Sequence, residues 1–159
     1  MTVDLAPGLV VVVPAREIVA IGKPVAVVLM NGRPVSIPWL ATSAPAILEA
    51  WFPGTEGGHA VADVLLGKVT PGGKLPVTFP RMVGQAPIYY NHKNTGRPAK
   101  DEDKYTSKYI DAPWTPLFPF GYGLSYTTFR FTDLTVTPKE IRPSGRVTVT
   151  VTVTNTGTR

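Results

Sequence analysis

The chain has 159 residues, of which 43% are hydrophobic and 17% charged, a composition typical of globular rather than disordered proteins. Its 16 basic and 11 acidic residues give a formal charge of +5, but the basic residues are scattered and form no run, so we expect no nucleic-acid partner. The absence of Cys excludes disulfides, thiolate nucleophiles and cysteine-based zinc sites.

The N-terminal apolar run covers residues 9–13 and ends at Pro14. It is too short for a membrane-spanning helix, and no basic segment precedes it. We therefore expect neither a signal peptide nor a membrane segment in this chain. The composition leaves the compartment open, since a signal could lie upstream in a longer parent.

Four apolar segments in the first half of the chain predict extended structure. Residues 25–30 form a continuous β-branched run between turn residues, which predicts a strand buried on both faces. Residues 34–39 predict a shorter extended piece limited by two prolines. Residues 47–52 and 75–79 predict two further strands, each followed by proline.

A helix is predicted between the strands at residues 47–52 and 75–79. Thr55 can accept a backbone hydrogen bond as its N-cap, and Gly67 is placed to end it. Val61, Val64 and Leu65 lie three and four residues apart, as an apolar helix stripe requires. Strands that alternate with a helix in short steps indicate an α/β fold with a mostly parallel sheet.

Residues 81–118 mix Pro, Gly, Tyr and charges without any period. A stretch this long without regular elements is usually functional or partner-facing. Within it, residues 100–104 predict a solvated turn, while residues 89–93 and 105–114 are dense in aromatic and hydrogen-bonding side chains. That composition suits sugar binding and a protein interface equally well.

The last part of the chain predicts antiparallel β-structure. Residues 146–154 alternate Val and Thr strictly, which predicts a half-buried strand. Residues 129–136 predict a weaker strand, in which the alternation slips near Asp133 as it does at a β-bulge. Two strands cannot close a β-sandwich, so we expect that the chain is a truncated piece.

Few side chains offer catalytic or ligand chemistry. The glycine-rich turn at residues 53–58 matches neither a P-loop nor a dinucleotide fingerprint and is best explained as a tight turn. His59 and Asp63 lie one helical turn apart, but a third metal ligand is lacking. Glu49, inside an apolar strand, is either a buried acid or bonded to a neighbour. We expect no metal, no cofactor and no serine nucleophile.

Four segments, in this order and spacing, resemble glycoside hydrolase family three. They are GKPVAVVLMNGRP at 22–34, ILEAWFPGTEGG at 47–58 with ADVL at 62–65, GKLPVTFP at 73–80 and PFGYGLSY at 119–126. The segments IYYNHK at 88–93 and TGRP at 95–98 are similar to the bacterial periplasmic β-glucosidase branch. The resemblance covers residues 22–159, whereas residues 1–21 depart from the family.

The resemblance implies an N-terminal barrel with an Asp nucleophile, an α/β sandwich whose upstream Glu is the acid/base, and a C-terminal fibronectin-type-III-like domain. This chain would then be the C-terminal part of the α/β sandwich (1–80), an irregular connecting region (81–126) and the start of the fibronectin-type-III-like β-sandwich (127–159). Neither catalytic carboxylate would lie in it. We therefore assign no catalytic residue and expect no activity from the chain alone.

The parent reaction would be retaining hydrolysis of terminal β-glucosides, in a family that is often periplasmic or secreted. From their composition and their place in the irregular region, we expect five residues to form the rim of the substrate cleft or a homodimer contact: Asn91, His92, Lys93, Tyr105 and Tyr109. The expected partners are a β-glucoside or oligosaccharide in the full-length parent and the missing barrel domain. The alternatives are a free-standing carbohydrate-binding module and a non-catalytic interaction domain.

Overall fold

The computed structural model describes residues 15–159, and the predictions for residues 1–14 lie outside the described residues. The described part is of the α/β class, with short helices and two separate two-stranded sheets. In chain order the elements are α1 (Ala15–Ala20), β1 (Ala26–Leu29), α2 (Pro38–Ser43), β2 (Ala46–Glu49), α3 (Gly57–Leu65), a 3-10 turn (Val83–Gln85), β3 (Phe129–Thr137) and β4 (Thr148–Asn155).

Strands β1 and β2 form the predicted parallel pair, in register from Ala26 opposite Ala46 to Leu29 opposite Glu49. The prediction that residues 25–30 are buried on both faces is wrong. Ala26 is exposed, the rest of β1 is only partly buried, and Met30 is 66% exposed. The reason is that both strands of a two-stranded sheet are edges, with few neighbours to cover them.

Helix α2 replaces part of the extended piece predicted at residues 34–39. Pro38 and Trp39 open this helix, and the Ala41 N–H donates to Ile37 O at 2.9 Å. Proline suits the first helical position because its fixed φ is helical and its missing N–H would have no partner there. The helix contributes the buried side chain of Leu40 to the core.

Helix α3 begins later than predicted. It starts at Gly57 without a side-chain cap, so the N-cap assigned to Thr55 is wrong. Glu56 takes the cap position, and its carboxylate lies 2.8 Å from His59 Nδ1 instead of bonding the first turn. Of the apolar stripe, Val61 and Val64 are partly buried, whereas Leu65 is 45% exposed.

The end of α3 is as predicted. Gly67 has φ +72°, a left-handed conformation that favours glycine. Its N–H donates to Val64 O at 2.9 Å, and the Lys68 N–H donates to Asp63 O at 2.8 Å. These two bonds are the Schellman arrangement, which satisfies carbonyls that a helix end leaves free.

The strand predicted at residues 75–79 is absent. This segment instead pairs irregularly with residues 117–122, through bonds from the Leu75 N–H to Tyr122 O and from the Phe79 N–H to Phe118 O, both 2.8 Å. Only one bridge, Phe79 to Phe118, has strand geometry. Between these two ends no backbone bond among the described residues joins Val77 to Phe120, so the ladder is not continuous. We call this pairing the brace.

The core lies where the brace meets β2. Phe79 is 2% exposed, and its ring lies between those of Trp51 and Phe118, with centroids 5.9 and 6.2 Å away. The Phe118 ring stacks in turn on Tyr122 at 4.9 Å. Such offset and tilted arrangements are the favoured geometries of aromatic pairs. This aromatic row joins the parallel sheet to the irregular half of the chain.

A cluster of polar bonds, which we call the base clamp, closes the irregular region. Gln85 is 1% exposed; its Oε1 accepts from the Arg81 N–H at 2.6 Å, and its Nε2 donates to Pro113 O at 2.8 Å. Arg81 Nε donates to Thr115 O at 2.9 Å, and Ser36 Oγ donates to Arg81 O at 2.7 Å. The two ends of residues 86–112 are therefore held together.

Strands β3 and β4 form the predicted antiparallel hairpin with its bulge. The register shifts between Thr132 and Thr135, and Asp133 has φ +55°. Because of this shift, the apolar residues on both sides of the bulge share one face, namely Phe129, Phe131, Leu134, Val136, Val149, Val151 and Val153. The predicted half-burial is wrong: every residue of β4 is exposed, because no described element packs on that face.

Replacing Gln85 by Ala should free the irregular region without unfolding the rest. The change removes the part-buried bonds to the Arg81 N–H and to Pro113 O, at a cost of about 0.5–1.5 kcal/mol each. We expect faster proteolytic cleavage within residues 86–112, measured by mass spectrometry of the fragments. The exposed Asn94→Ala variant is the control, and equal cleavage of both variants would contradict the role of the clamp.

Candidate functional site

The five residues predicted as a cleft rim do not form one cluster. Asn91 lines a groove beside the brace, and Tyr105 lines a second hollow in the irregular region. His92 and Lys93 are exposed and line neither cavity, and Tyr109 is 40% exposed. Asn91 and Tyr105 thus line different cavities, and the role of the five residues stays a prediction.

The groove beside the brace is lined mainly by apolar and aromatic side chains, and we call it the aromatic groove. Its volume is about 310 Å³, and its walls are Pro76, Val77, Thr78, Ile88, Tyr89, Tyr90, Asn91 and Phe120. The Tyr90 and Phe120 rings lie 5.6 Å apart at 41°. Both are half-exposed or more, at 73% and 51%. The aromatic composition of residues 89–93 indicated the tyrosines as candidate binding residues. It did not indicate Phe120, because only the brace brings residue 120 beside residue 90.

The second hollow lies over the charged turn, and we call it the turn hollow. Its volume is about 270 Å³, and it is lined by Gly96, Arg97, Pro98, Lys100, Asp103, Tyr105 and Thr106. Lys108 Nζ holds the turn together by donating to the carbonyls of Lys100 and Asp101, both at 2.7 Å. Residues 100–104 are exposed, as predicted for a solvated turn.

Glu49 ends β2 and has two oxygens in different situations. Oε1 accepts from the Trp51 N–H at 3.0 Å, while Oε2 is buried and has no partner among residues 15–159. Trp51 has φ +53°, a conformation rare for a bulky residue and costing on the order of 1–3 kcal/mol. The Glu49 carboxylate therefore holds the strained residue whose ring contacts Phe79. The sequence indicated Glu49 as a candidate buried acid, but it did not predict the left-handed backbone of Trp51.

The acidic residues at the N-cap of α3 and within the helix both have partners nearby in the sequence. Glu56 pairs with His59, and Asp63 Oδ1 lies 3.3 Å from Lys68 Nζ. His59 and Asp63 therefore do not point to a shared ligand. Within the part of the chain that the structure describes, no three His, Asp or Glu side chains converge as they would on a metal ion. Nor is any helix there long and apolar enough to span a membrane.

Comparison with known proteins places this arrangement among glycosidase domains. Residues 14–126 match the model of the glycosyl hydrolase family 3 C-terminal domain. The chain is 57% identical over 142 residues to the periplasmic beta-glucosidase of Salmonella typhimurium, covering 88% of the chain and 19% of that protein. It is 48% identical to the beta-xylosidase of Formosa agariphila, covering 86% of the chain and 18% of that protein.

Solved structures agree in fold. The beta-glucosidase of Listeria innocua in complex with glucose superposes with a TM-score of 0.84 at 46% identity, over 90% of this chain and 20% of that one. The described fold is therefore a C-terminal domain of glycoside hydrolases. The chain belongs to glycosyl hydrolase family 3, as its four ordered segments indicated. It spans about a fifth of the length of the curated relatives it matches.

Removing the Glu49 side chain should loosen the turn after β2. In Glu49→Ala the Trp51 N–H loses its acceptor, at a cost of about 1 kcal/mol, which lowers Tm by about 2–4 °C in a chain of this size. Glu49→Gln keeps an acceptor at Oε1 and should lose less. Differential scanning fluorimetry measures both, and a Gln variant as unstable as the Ala variant would contradict the assigned bond.

Proposed function

We propose that the chain is the C-terminal portion of a retaining β-glucosidase-type hydrolase that acts on terminal β-glucosides. The observation that carries the proposal is the match, over nine-tenths of the chain, to a fifth of a β-glucosidase whose solved structure holds glucose. Because a relative at 48% identity is a β-xylosidase, the sugar is the least constrained part of the proposal.

The exposed surface supports a role as part of a larger enzyme. The chain exposes 12895 Å², whereas a compact monomer of 17.1 kDa exposes about 7,700 Å². Leu40 and Phe79 are the buried hydrophobic side chains of the described residues, and many large apolar ones are open to solvent. Surface of this kind marks contact with further protein. We infer that the partner is an N-terminal barrel domain.

The proposed division follows the change of architecture along the chain. Residues 1–80 would belong to the α/β sandwich, residues 81–126 would connect, and residues 127–159 would begin a fibronectin-type-III-like domain. The uncovered apolar face of β3 and β4 supports the last assignment. In a β-sandwich such a face packs on a second sheet about 10 Å away.

Catalysis would come from outside this chain. Retaining glycosidases place two carboxyl groups about 5 Å apart, one as nucleophile and one as acid/base. The proposal puts the Asp nucleophile in the barrel and the Glu acid/base upstream of the matched stretch. This chain would supply part of the cleft rim or a homodimer contact through Asn91, His92, Lys93, Tyr105 and Tyr109. Their exposed donors and rings suit contact with sugar hydroxyls.

A domain exchange tests the proposed activity. We expect the purified chain to give no hydrolysis of aryl β-glucosides or aryl β-xylosides above a mock-purified blank. A chimera of the Salmonella enzyme, with its matched segment replaced by this chain, should hydrolyse the glucoside. Turnover by the chain alone would place the catalytic carboxylates within it, and a folded but inactive chimera would contradict the proposed parent activity.

The same chimera tests the cleft rim. His92→Ala and Tyr105→Ala should each raise KM by about two- to tenfold, as the loss of one hydrogen bond to substrate does, with little change in kcat. Lys139→Ala, an exposed change in the turn between β3 and β4, is the control. KM values and oligomeric states equal to those of the control in both variants would remove these residues from the rim and from a dimer contact.

A further inference from the structure

We propose that the aromatic groove binds a single sugar ring, through stacking on Tyr90 and Phe120. The choice of a β-linked glucoside as ligand rests on the proposed function; the groove and its ring-binding character do not.

The first support is the groove's shape and lining. At about 310 Å³ it is at the small end of ligand cavities, which suits one ring rather than a long oligosaccharide. Its apolar walls come from the brace and from residues 88–90, with few polar groups among them. Small-molecule sites typically have this balance, in which apolar surface gives affinity and a few polar groups fix orientation.

The second support is the state of the rings. The Tyr90 ring contacts the Phe120 ring, yet Tyr90 is 73% exposed and Phe120 is 51% exposed. Each ring therefore has solvent-accessible surface at the aromatic groove. The face of an aromatic ring is electron-rich. A β-glucopyranose carries its hydroxyls equatorially and its C–H bonds axially, so both of its faces are patches of weakly positive C–H groups. Such a face complements an exposed aromatic ring.

The third support is a polar side chain on the groove wall. Asn91, on the same wall, offers an exposed carboxamide with both donors and an acceptor.

The groove is also fixed in place before any ligand arrives. The brace holds its floor by bonds of 2.8 Å on both sides of residues 76–78. The base clamp holds the start of the segment that carries Tyr89 and Tyr90. A site whose walls are already ordered loses less entropy when it binds.

The test is a titration of the full 159-residue chain with methyl β-glucoside and with cellobiose, followed by saturation-transfer NMR. Saturable binding is expected, with contacts to the axial ring protons. Tyr90→Ala should weaken it by about tenfold, and Tyr90→Phe, which keeps the ring, by less than about threefold. Phe131→Ala is the matched control, because Phe131 is an aromatic residue exposed to nearly the same extent, 68%, but lies in β3, outside the groove.

No saturable binding by the wild-type chain would overturn the proposal, and so would binding that Tyr90→Ala and Phe120→Ala leave unchanged. If both variants instead destabilise the chimera without changing sugar binding, the groove is a packing surface for another domain, and the proposal is likewise wrong. Hydrolysis by the wild-type chimera is measured separately, so the proposed parent activity is tested independently of sugar binding in the groove.

Discussion

The carboxamide of Gln85 is the constraint on which the irregular half of the chain depends. Its oxygen accepts from the backbone N–H of residue 81, and its nitrogen donates to the carbonyl of residue 113. The side chain therefore joins two segments that are distant in sequence. This requires a side chain with both a donor and an acceptor, and the carboxamide of glutamine provides an NH2 group and a carbonyl oxygen on one carbon. Residues 86–112 therefore leave and re-enter the fold at one point. The turn hollow is lined wholly by this segment, and the aromatic groove takes half of its lining, residues 88–91, from it.

The aromatic row joins distant segments through apolar contacts, as Gln85 joins them through hydrogen bonds. Phe79 is among the most buried side chains of the described residues, and it contacts rings from β2's following turn and from the brace. The position of Trp51 in that row depends on a left-handed backbone, which the Glu49 carboxylate holds by accepting its N–H. Strain at a single residue is thus offset by one hydrogen bond and one ring contact. The parallel sheet and the brace are connected through that residue.

Sequence patterns correctly predicted the features that a few neighbouring residues determine. The Val-Thr alternation, the slip at Asp133 and the glycine at residue 67 each follow from the geometry of a few neighbouring residues, and each was found. The missed features depend on contacts or on competing effects. Residues 75–79 have a strand's composition, but only the two ends of this segment bond to residues 117–122. Pro38 predicts the end of an extended piece, although proline also begins helices, as it does here.

The candidate site was the least predictable part, for the same reason. Tyr89, Tyr90 and Asn91 could be marked from composition, yet their neighbour Phe120 is thirty residues away and no periodicity connects them. The predicted burial of β1 and β4 was too high. A hydrophobic pattern indicates which face of a strand is apolar, but it does not show whether another element packs on that face. Family membership, by contrast, followed from the order of four segments, which needs no contact information.

The bulge at Asp133 also bears on how the gene can change in length. β3 reads as Phe-Arg-Phe-Thr, one additional residue, then Leu-Thr-Val-Thr, so the codon of the bulge is the surplus one. Loss of a codon there would leave an uninterrupted alternation with every apolar side chain on its present face. Loss of a codon between residues 134 and 136 would carry the residues beyond it to the threonine side, because strand faces alternate with every residue. Among descendants of this sequence, length variation within β3 should therefore collect at one codon while its neighbours vary only by substitution.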